Sequence, residues 1–171
     1  MRFKRIAAVL FAAALLFASG CNKKNDGASF TGIAQTFVCN IDITCLGQKF
    51  SAGISRIAKT VYEYTFVNSD GREIFVFLSG NEVVMKHGQI NYTTELNSIP
   101  LAAPFVRLSN VLDACDGADS YGKVTFEDGI YKIESETEYG AFTVLVDADS
   151  LLPLKLNVPS ADLCVEFTVA G

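Results

Sequence analysis

The chain has 171 residues, with 14 basic and 19 acidic side chains and a net charge of −5 at neutral pH. This length is enough for one domain with a substantial hydrophobic core. The acidic balance argues against a nucleic-acid-binding protein, which needs a basic surface, and against electrostatic docking on anionic lipid.

The N-terminal segment has the order of an export signal. Three basic side chains within the first five residues are followed by an unbroken apolar run of 13 residues, 6–18, and then by small and polar residues. A helix of that length rises about 20 Å at 1.5 Å per residue, which is less than the roughly 30 Å of a hydrocarbon core. We therefore predict a signal peptide over residues 1–20 rather than a membrane-spanning helix.

The end of this segment, FASGC at residues 17–21, resembles the lipobox of bacterial lipoproteins. The resemblance implies diacylglycerol on the Cys21 sulfur, cleavage before Cys21, and a mature chain held at a membrane by that lipid. An ordinary secretory signal followed by a chance cysteine is the alternative. On the lipoprotein interpretation, residues 21–34 are a lipid-anchored tether, residues 35–171 are the domain, and the protein lies outside the cytoplasm on a bacterial membrane.

Four cysteines remain for the domain, Cys39, Cys45, Cys115 and Cys164, and an even number in an exported chain permits three pairings. Cys39 and Cys45 lie in one predicted strand, roughly 20 Å apart at about 3.3 Å per residue. A disulfide needs Cα atoms within about 7 Å, so these two do not pair with each other. The alternative is that some or all are buried free thiols, which behave as small apolar side chains.

From residue 37 onward, apolar and polar residues alternate with the period of two that is typical of half-buried β-strands. The segment FVCNIDITC at 37–45 is the clearest example. Strands are predicted, in chain order, over residues 37–45, 50–54, 60–67, 73–78, 83–87, 89–94, 121–126, 130–137, 142–147, 152–158 and 163–169. Turn signals such as NSDG at 68–71 and EDG at 127–129 separate them.

One helix, Pro104 to Cys115, interrupts this series. Proline suits a first helical turn, and the apolar residues of PFVRLSNVLDAC are spaced for one helix face. The predicted fold class is therefore mainly β (α+β), an antiparallel meander of about eleven strands with one inserted helix. Such a sheet must close into a barrel or be covered on one face to hide its apolar side.

The predicted strand at 73–78 is apolar on both faces, which indicates a strand between two layers or a strand that lines a cavity. Candidate cavity-lining residues come from this strand, its neighbour and the helix: Tyr62, Tyr64, Phe66, Phe75, Phe77, Phe105 and Leu108. As a cavity lining these side chains would suit an acyl chain. As plain core they need no ligand.

The sequence offers no catalytic residue set, metal site or cofactor motif. His87 is the single histidine, and neither a GxSxG elbow nor a CxxC pair is present, so we expect a protein that is not an enzyme. Asp113, Asp116 and Asp119 lie around the end of the predicted helix. Their spacing permits a calcium site, but the run lacks the twelve-residue loop with its terminal glutamate, which favours a solvated helix end.

Four segments together resemble the lipoprotein-carrier superfamily of the LolA/LolB type: FVCNIDITCLGQKFSAGIS, PFVRLSNVLDAC, YGAFTVLVDADSLLPLKLNV and LCVEFTV. The resemblance implies a curved antiparallel sheet that forms an unclosed barrel, with a helix on its concave face and a cavity that takes acyl chains. One departure is the lack of a predicted helix before the first strand.

Membrane anchoring and this resemblance together predict an exported lipoprotein that binds a lipid or another hydrophobic ligand. The alternative is a non-catalytic interaction or scaffold module of the cell envelope with no small-molecule ligand, whose protein partner the sequence does not identify.

Overall fold

The computed structural model describes residues 29–67, 70–99, 103–117 and 122–169. These residues contain eleven β-strands and one α-helix, α1, at Pro104–Ala114. The strands are β1 Phe37–Cys45, β2 Gln48–Ala58, β3 Val61–Val67, β4 Glu73–Ser79, β5 Glu82–His87, β6 Ile90–Glu95, β7 Lys123–Glu127, β8 Ile130–Thr137, β9 Gly140–Asp147, β10 Pro153–Val158 and β11 Leu163–Val169. The predicted strands and helix are confirmed within a few residues at each end; residue 121, the predicted start of the seventh strand, lies outside the described residues.

All eleven strands form one antiparallel sheet in the order β6-β5-β4-β3-β2-β1-β11-β10-β9-β8-β7. Two meanders, β1 to β6 and β7 to β11, are joined in the middle of the sheet by the pairing of β1 with β11. β6 and β7 are the two edges and do not pair with each other, so the sheet is not closed. The predicted fold class, a mainly β antiparallel meander that stays open and has one inserted helix, is confirmed.

Tight hairpins make this order of strands possible. In the β7–β8 hairpin, Asp128 and Gly129 are the two loop residues and have φ of 50° and 78°. Positive φ at both positions is the geometry of a type I′ turn, whose twist matches that of the strands it joins. Glycine takes this conformation without steric cost, which explains the sequence EDG at this point.

One face of the sheet, here called the inner face, packs against α1 and holds the core. The register places inward residues side by side across neighbouring strands, as in the rows Cys39–Ile54–Tyr64 and Ile43–Val165–Leu156. All six of these side chains are at most 3% exposed. The alternation in the sequence therefore corresponds to an inner face that is buried and an outer face that meets solvent.

The packed domain begins earlier than residue 35. Phe30 and Ile33 are 3% and 2% exposed, and the Phe30 ring lies 5.2 Å from the ring of Tyr131 on β8. Residues 30–34, which the sequence placed in the tether, thus contribute to the core. The predicted signal peptide and most of the tether, including Cys21, lie outside the described residues. Among the described helices, none is long and apolar enough to cross a membrane.

The four cysteines of the domain are free thiols; Cys39, Cys45 and Cys115 are buried and Cys164 is partly exposed. This agrees with the free-thiol alternative rather than with a disulfide framework. Burial, reinforced by the negative charge of Asp116, raises the pKa of the Cys115 thiol to about 12. Burial also raises the pKa of Cys39.

Thiol labelling tests this arrangement. With Cys21 replaced by serine, the native protein should expose one reactive thiol, Cys164, because the other three thiols are buried and out of reach of the reagent. Titration with Ellman's reagent should count one fast thiol in buffer and four in denaturant. A count of two in denaturant without reductant would show a disulfide instead.

Candidate ligand-binding groove

Part of the inner face is not covered by α1 and forms an apolar groove. Its floor comes from β1 and β2, where the register places Ile41 opposite Ala52 and Ile43 opposite Phe50. All four side chains point inward because they occupy alternate positions of their strands. Phe50 is 37% exposed, so the floor is open to solvent at that end.

The side of the groove is formed by β3 and the start of α1. Tyr64 and Phe66 continue the inner face of β3, and Pro104 and Phe105 stand above them in the first turn of the helix. The Tyr64 and Phe105 rings are 6.0 Å apart between centroids. The Tyr64 hydroxyl lies 2.7 Å from Ser109 Oγ and donates to the Phe105 carbonyl oxygen at 3.3 Å, so it holds the helix start in place.

The groove has a volume of about 800 Å³. Ligand pockets in proteins are typically about 300–1,000 Å³ and mostly apolar. The exposed lining is mostly apolar, and the polar residues that border it include Asp42, whose carboxylate accepts a hydrogen bond from Ser51 at 2.6 Å. The groove therefore suits an apolar molecule better than a charged one.

The seven residues predicted to line a cavity separate into three groups. Tyr64, Phe66 and Phe105 line the groove. Tyr62 and Leu108 are both 0% exposed and lie in the closed core between α1 and the sheet. Phe75 and Phe77 do not reach the groove.

Phe75 and Phe77 lie on the outer face, so the expectation that they share a cavity with Tyr64 is wrong. The β3–β4 register pairs Tyr64 with Val76 and therefore turns Phe75 and Phe77 to the other side. Both rings are partly buried on that surface, and the Lys86 ammonium lies 5.7 Å from the Phe75 ring centroid. The long Lys86 side chain thus covers part of this apolar outer surface.

A second cluster ties the C-terminal end of α1 to β2. Arg56 lies on the inner face and is 1% exposed. Its guanidinium lies 2.8 Å from Asp116 and 3.3 Å from Asp113, and it donates to the Ala34 carbonyl oxygen at 3.0 Å. Burial disfavours the charge, but the hydrogen bond to Asp116 and the two nearby carboxylates outweigh it and raise the pKa of Arg56.

Asp113 accepts two further hydrogen bonds, one from β3 and one from the turn before it. The Tyr62 hydroxyl donates to Asp113 Oδ1 at 2.6 Å, and the Thr60 backbone N–H donates to the same oxygen at 3.1 Å. Burial, together with the hydrogen bond to Asp113, raises the pKa of the Tyr62 phenol well above its ordinary range. These bonds fix the C-terminal end of α1 on the sheet.

Asp113 and Asp116 are therefore counter-charges for Arg56, and the expectation of a solvated helix end is wrong for these two residues. Asp119 lies outside the described residues. In the described part of the chain, no group of three or more His, Cys, Asp and Glu side chains is arranged to hold a metal ion. A sequence signal for the cluster was present, since Arg56 follows Ala52 and Ile54 at the same inward-facing period of two.

His87, the single histidine, is at the end of β5 and is partly buried between its neighbours Ile74 and Ile90. Its Nε2 atom is buried and makes no hydrogen bond to any described residue. The structure thus places His87 at a strand end, with an isoleucine on the neighbouring strand at each side.

Four groove residues, Ile41, Ile43, Phe50 and Ala52, were not singled out from the sequence. Their alternation predicted which way they face. It did not predict that they border a groove, because that depends on where α1 crosses the sheet.

Comparison with known proteins adds little. No protein-family model matches the sequence, and no curated protein matches it. Among solved structures, the chain is similar to a DUF1329 family protein from Desulfovibrio piger, at 14% identity over 78% of this chain and 82% of that chain, with a TM-score of 0.34. At that identity and TM-score the similarity supports no argument about function.

Proposed function

We propose that the protein is an exported lipoprotein, anchored through lipid on Cys21, that binds a lipid or another apolar ligand in the groove between β1–β3 and the start of α1. The observation that supports this most directly is an apolar groove of about 800 Å³ on the same face as the core. Its lining is already arranged in the described structure, and a ligand would cover the exposed part of Phe50.

The energetics favour a long apolar chain as the occupant. Each methylene group taken from water contributes about 0.8 kcal/mol, so a dozen contribute about 10 kcal/mol before the cost of immobilising the ligand. The buried cation nearest in the fold, Arg56, is already neutralised by two carboxylates. A charged headgroup would therefore remain at the mouth of the groove, in water.

The alternative function is an envelope scaffold module without a small-molecule ligand. It predicts an inner face packed throughout by the helix. The groove of about 800 Å³, with Phe50 37% exposed at one end, favours ligand binding over this alternative.

Filling the groove tests the binding proposal. Ala52→Phe should weaken binding of a dansylated undecanoic acid at least about tenfold, because the new ring occupies the floor between Ile41 and Phe66. Fluorescence titration measures this, and native mass spectrometry of the purified wild type should show a co-purifying lipid.

The matched control is Ala141→Phe, which adds the same ring to an exposed alanine on β9 and should leave binding unchanged. Thermal melting of both variants shows that they remain folded. A clean ligand-free mass together with no probe binding by the wild type would refute the proposal.

Replacing Cys21 tests the anchor separately. Cys21→Ser should abolish incorporation of radiolabelled palmitate and move the protein from the membrane fraction to the soluble fraction, because the acylated sulfur is lost. Cys164→Ser, at a partly exposed cysteine of β11, is the control and should keep both properties. Unchanged fractionation of Cys21→Ser would rule out an anchor at this residue.

A further inference from the structure

Among the described residues, no strand pairs with the outer edge of β7, and the backbone groups that point to this edge can be identified from the β7–β8 turn. In the type I′ hairpin, Glu127 and Ile130 form a hydrogen-bonded pair. Hydrogen-bonding direction alternates along a strand, so the N–H and C=O groups of Lys123 and Thr125 also point to β8. Those of Val124 and Phe126 point away from the sheet, to the free edge.

This edge is complementary to itself. When two copies of β7 lie antiparallel with Thr125 on a two-fold axis, Val124 of each copy is opposite Phe126 of the other, and all the outward groups meet. In the same register, Lys123 of each copy lies opposite Glu127 of the other copy, on the outer face of the sheet. Apart from Thr125, which lies opposite itself on the axis, each cross-strand pair then joins opposite charges or two apolar side chains, which are favourable combinations in a sheet.

We propose that β7 pairs antiparallel with β7 of a second copy of this chain, in the register that places Thr125 on the two-fold axis. The groups needed are accessible: the Lys123 side chain is 72% exposed and Phe126 is 40% exposed. Lys123 has an intrachain carboxylate, Glu134, only at 3.7 Å and on the surface, so it is free to turn to a closer one. Paired residues share a face, so the two grooves of the dimer open to the same side.

The other edge of the sheet lacks this complementarity. The β5–β6 register pairs His87 with Ile90, so the outward groups of β6 belong to Asn91, Thr93 and Glu95. Self-pairing about Thr93 would place Asn91 opposite Glu95, with no opposite charge. The charges of β7 have a second explanation, since Lys and Glu on an edge also discourage pairing with foreign strands. The two explanations differ in whether the chain dimerises.

A cysteine on the proposed axis tests the contact in the full chain. In a non-hydrogen-bonded antiparallel pair the Cα atoms are about 4.5 Å apart, which a disulfide can bridge. With Cys164→Ser removing the partly exposed thiol, Thr125→Cys should give mostly disulfide-linked dimer after mild oxidation of intact cells. Thr93→Cys, on the outer face of the β6 edge, is the matched control and should stay monomeric.

Charge reversal then tests the register. Adding Lys123→Glu or Glu127→Lys to the Thr125→Cys chain should reduce the yield of disulfide-linked dimer at least about fivefold. Each change places like charges opposite each other in both symmetry-related pairs. Co-expression of the two reversed chains, with tags of different size, should restore a mixed dimer. Its restoration shows that both variants are folded.

Three results would overturn the proposal: no cross-linked dimer with Thr125→Cys, equal cross-linking with Thr93→Cys, or no recovery of the mixed dimer. The first of these would leave Lys123 and Glu127 as residues that only protect the edge.

Discussion

Replacing Arg56 with methionine should lower the free energy of unfolding by about 3–5 kcal/mol, the range for removing one partner of a buried ion pair. Methionine leaves Asp113 and Asp116 without their cation, and these side chains are only 18% and 8% exposed. The C-terminal end of α1 would then be held against β2 by two uncompensated carboxylates. Urea denaturation followed by circular dichroism measures the loss.

The matched control is Lys155→Met in the surface pair of Lys155 with Glu166. That pair, at 2.7 Å, is shorter than both Arg56 contacts, but its side chains are 47% and 62% exposed. Exposed pairs contribute about 0–1 kcal/mol, so this change should be mild. A further variant that combines Arg56→Met with Asp113→Asn and Asp116→Asn should recover part of the loss, because no unpaired charge remains. Equal losses in the free energy of unfolding for Arg56→Met and Lys155→Met would contradict the conclusion that the Arg56 cluster holds α1 on the sheet.

Leu108→Ala should cost about 2–5 kcal/mol of stability and leave ligand affinity unchanged. Leu108 is 0% exposed on the buried face of α1, in the closed core. Its truncation therefore removes packed methyl groups and leaves a cavity. It does not line the groove, although its place on the apolar helix face made it a candidate. Chemical denaturation and the dansyl-undecanoic acid titration measure the two effects on the same sample.

Leu154→Ala provides the comparison, since Leu154 on β10 is 37% exposed. Surface substitutions usually change stability by about 0.5 kcal/mol or less, so this variant should resemble the wild type. A large loss of affinity in folded Leu108→Ala would mean that the ligand enters below the helix rather than above β1 and β2.

The two ends of α1 have different roles, one in stability and the other at the groove. The Arg56 cluster holds its C-terminal end, and the hydrogen bonds of Tyr64 hold its start at the edge of the groove. Phe105, in the first turn of the helix, is only partly buried and borders the groove. The same helix thus closes the core at one end and limits the groove at the other.

Much of the fold follows from short stretches of sequence. The alternation of FVCNIDITC gave β1 with its inward and outward sides, and Asp128-Gly129 marked a hairpin that the structure contains. Pro104 and the apolar spacing after it predicted α1 almost to the residue. These features depend on contacts within a few positions along the chain, so the local pattern is sufficient to predict them. The export signal and the lipid on Cys21 also come from the sequence and stay predictions.

The groove and the Arg56 cluster were decided by the tertiary structure. The strand at 73–78 is apolar on both faces, and only its register with β3 shows that Phe75 and Phe77 face outward. Asp113 and Arg56 are 57 positions apart, and nothing local to either residue indicates the other. Where apolar and polar residues alternate, as in β1, the sequence alone determined which side chains face inward. Which inward side chains are covered by α1, and which charges meet beneath it, depends on how distant segments pack, and only the folded chain decides that.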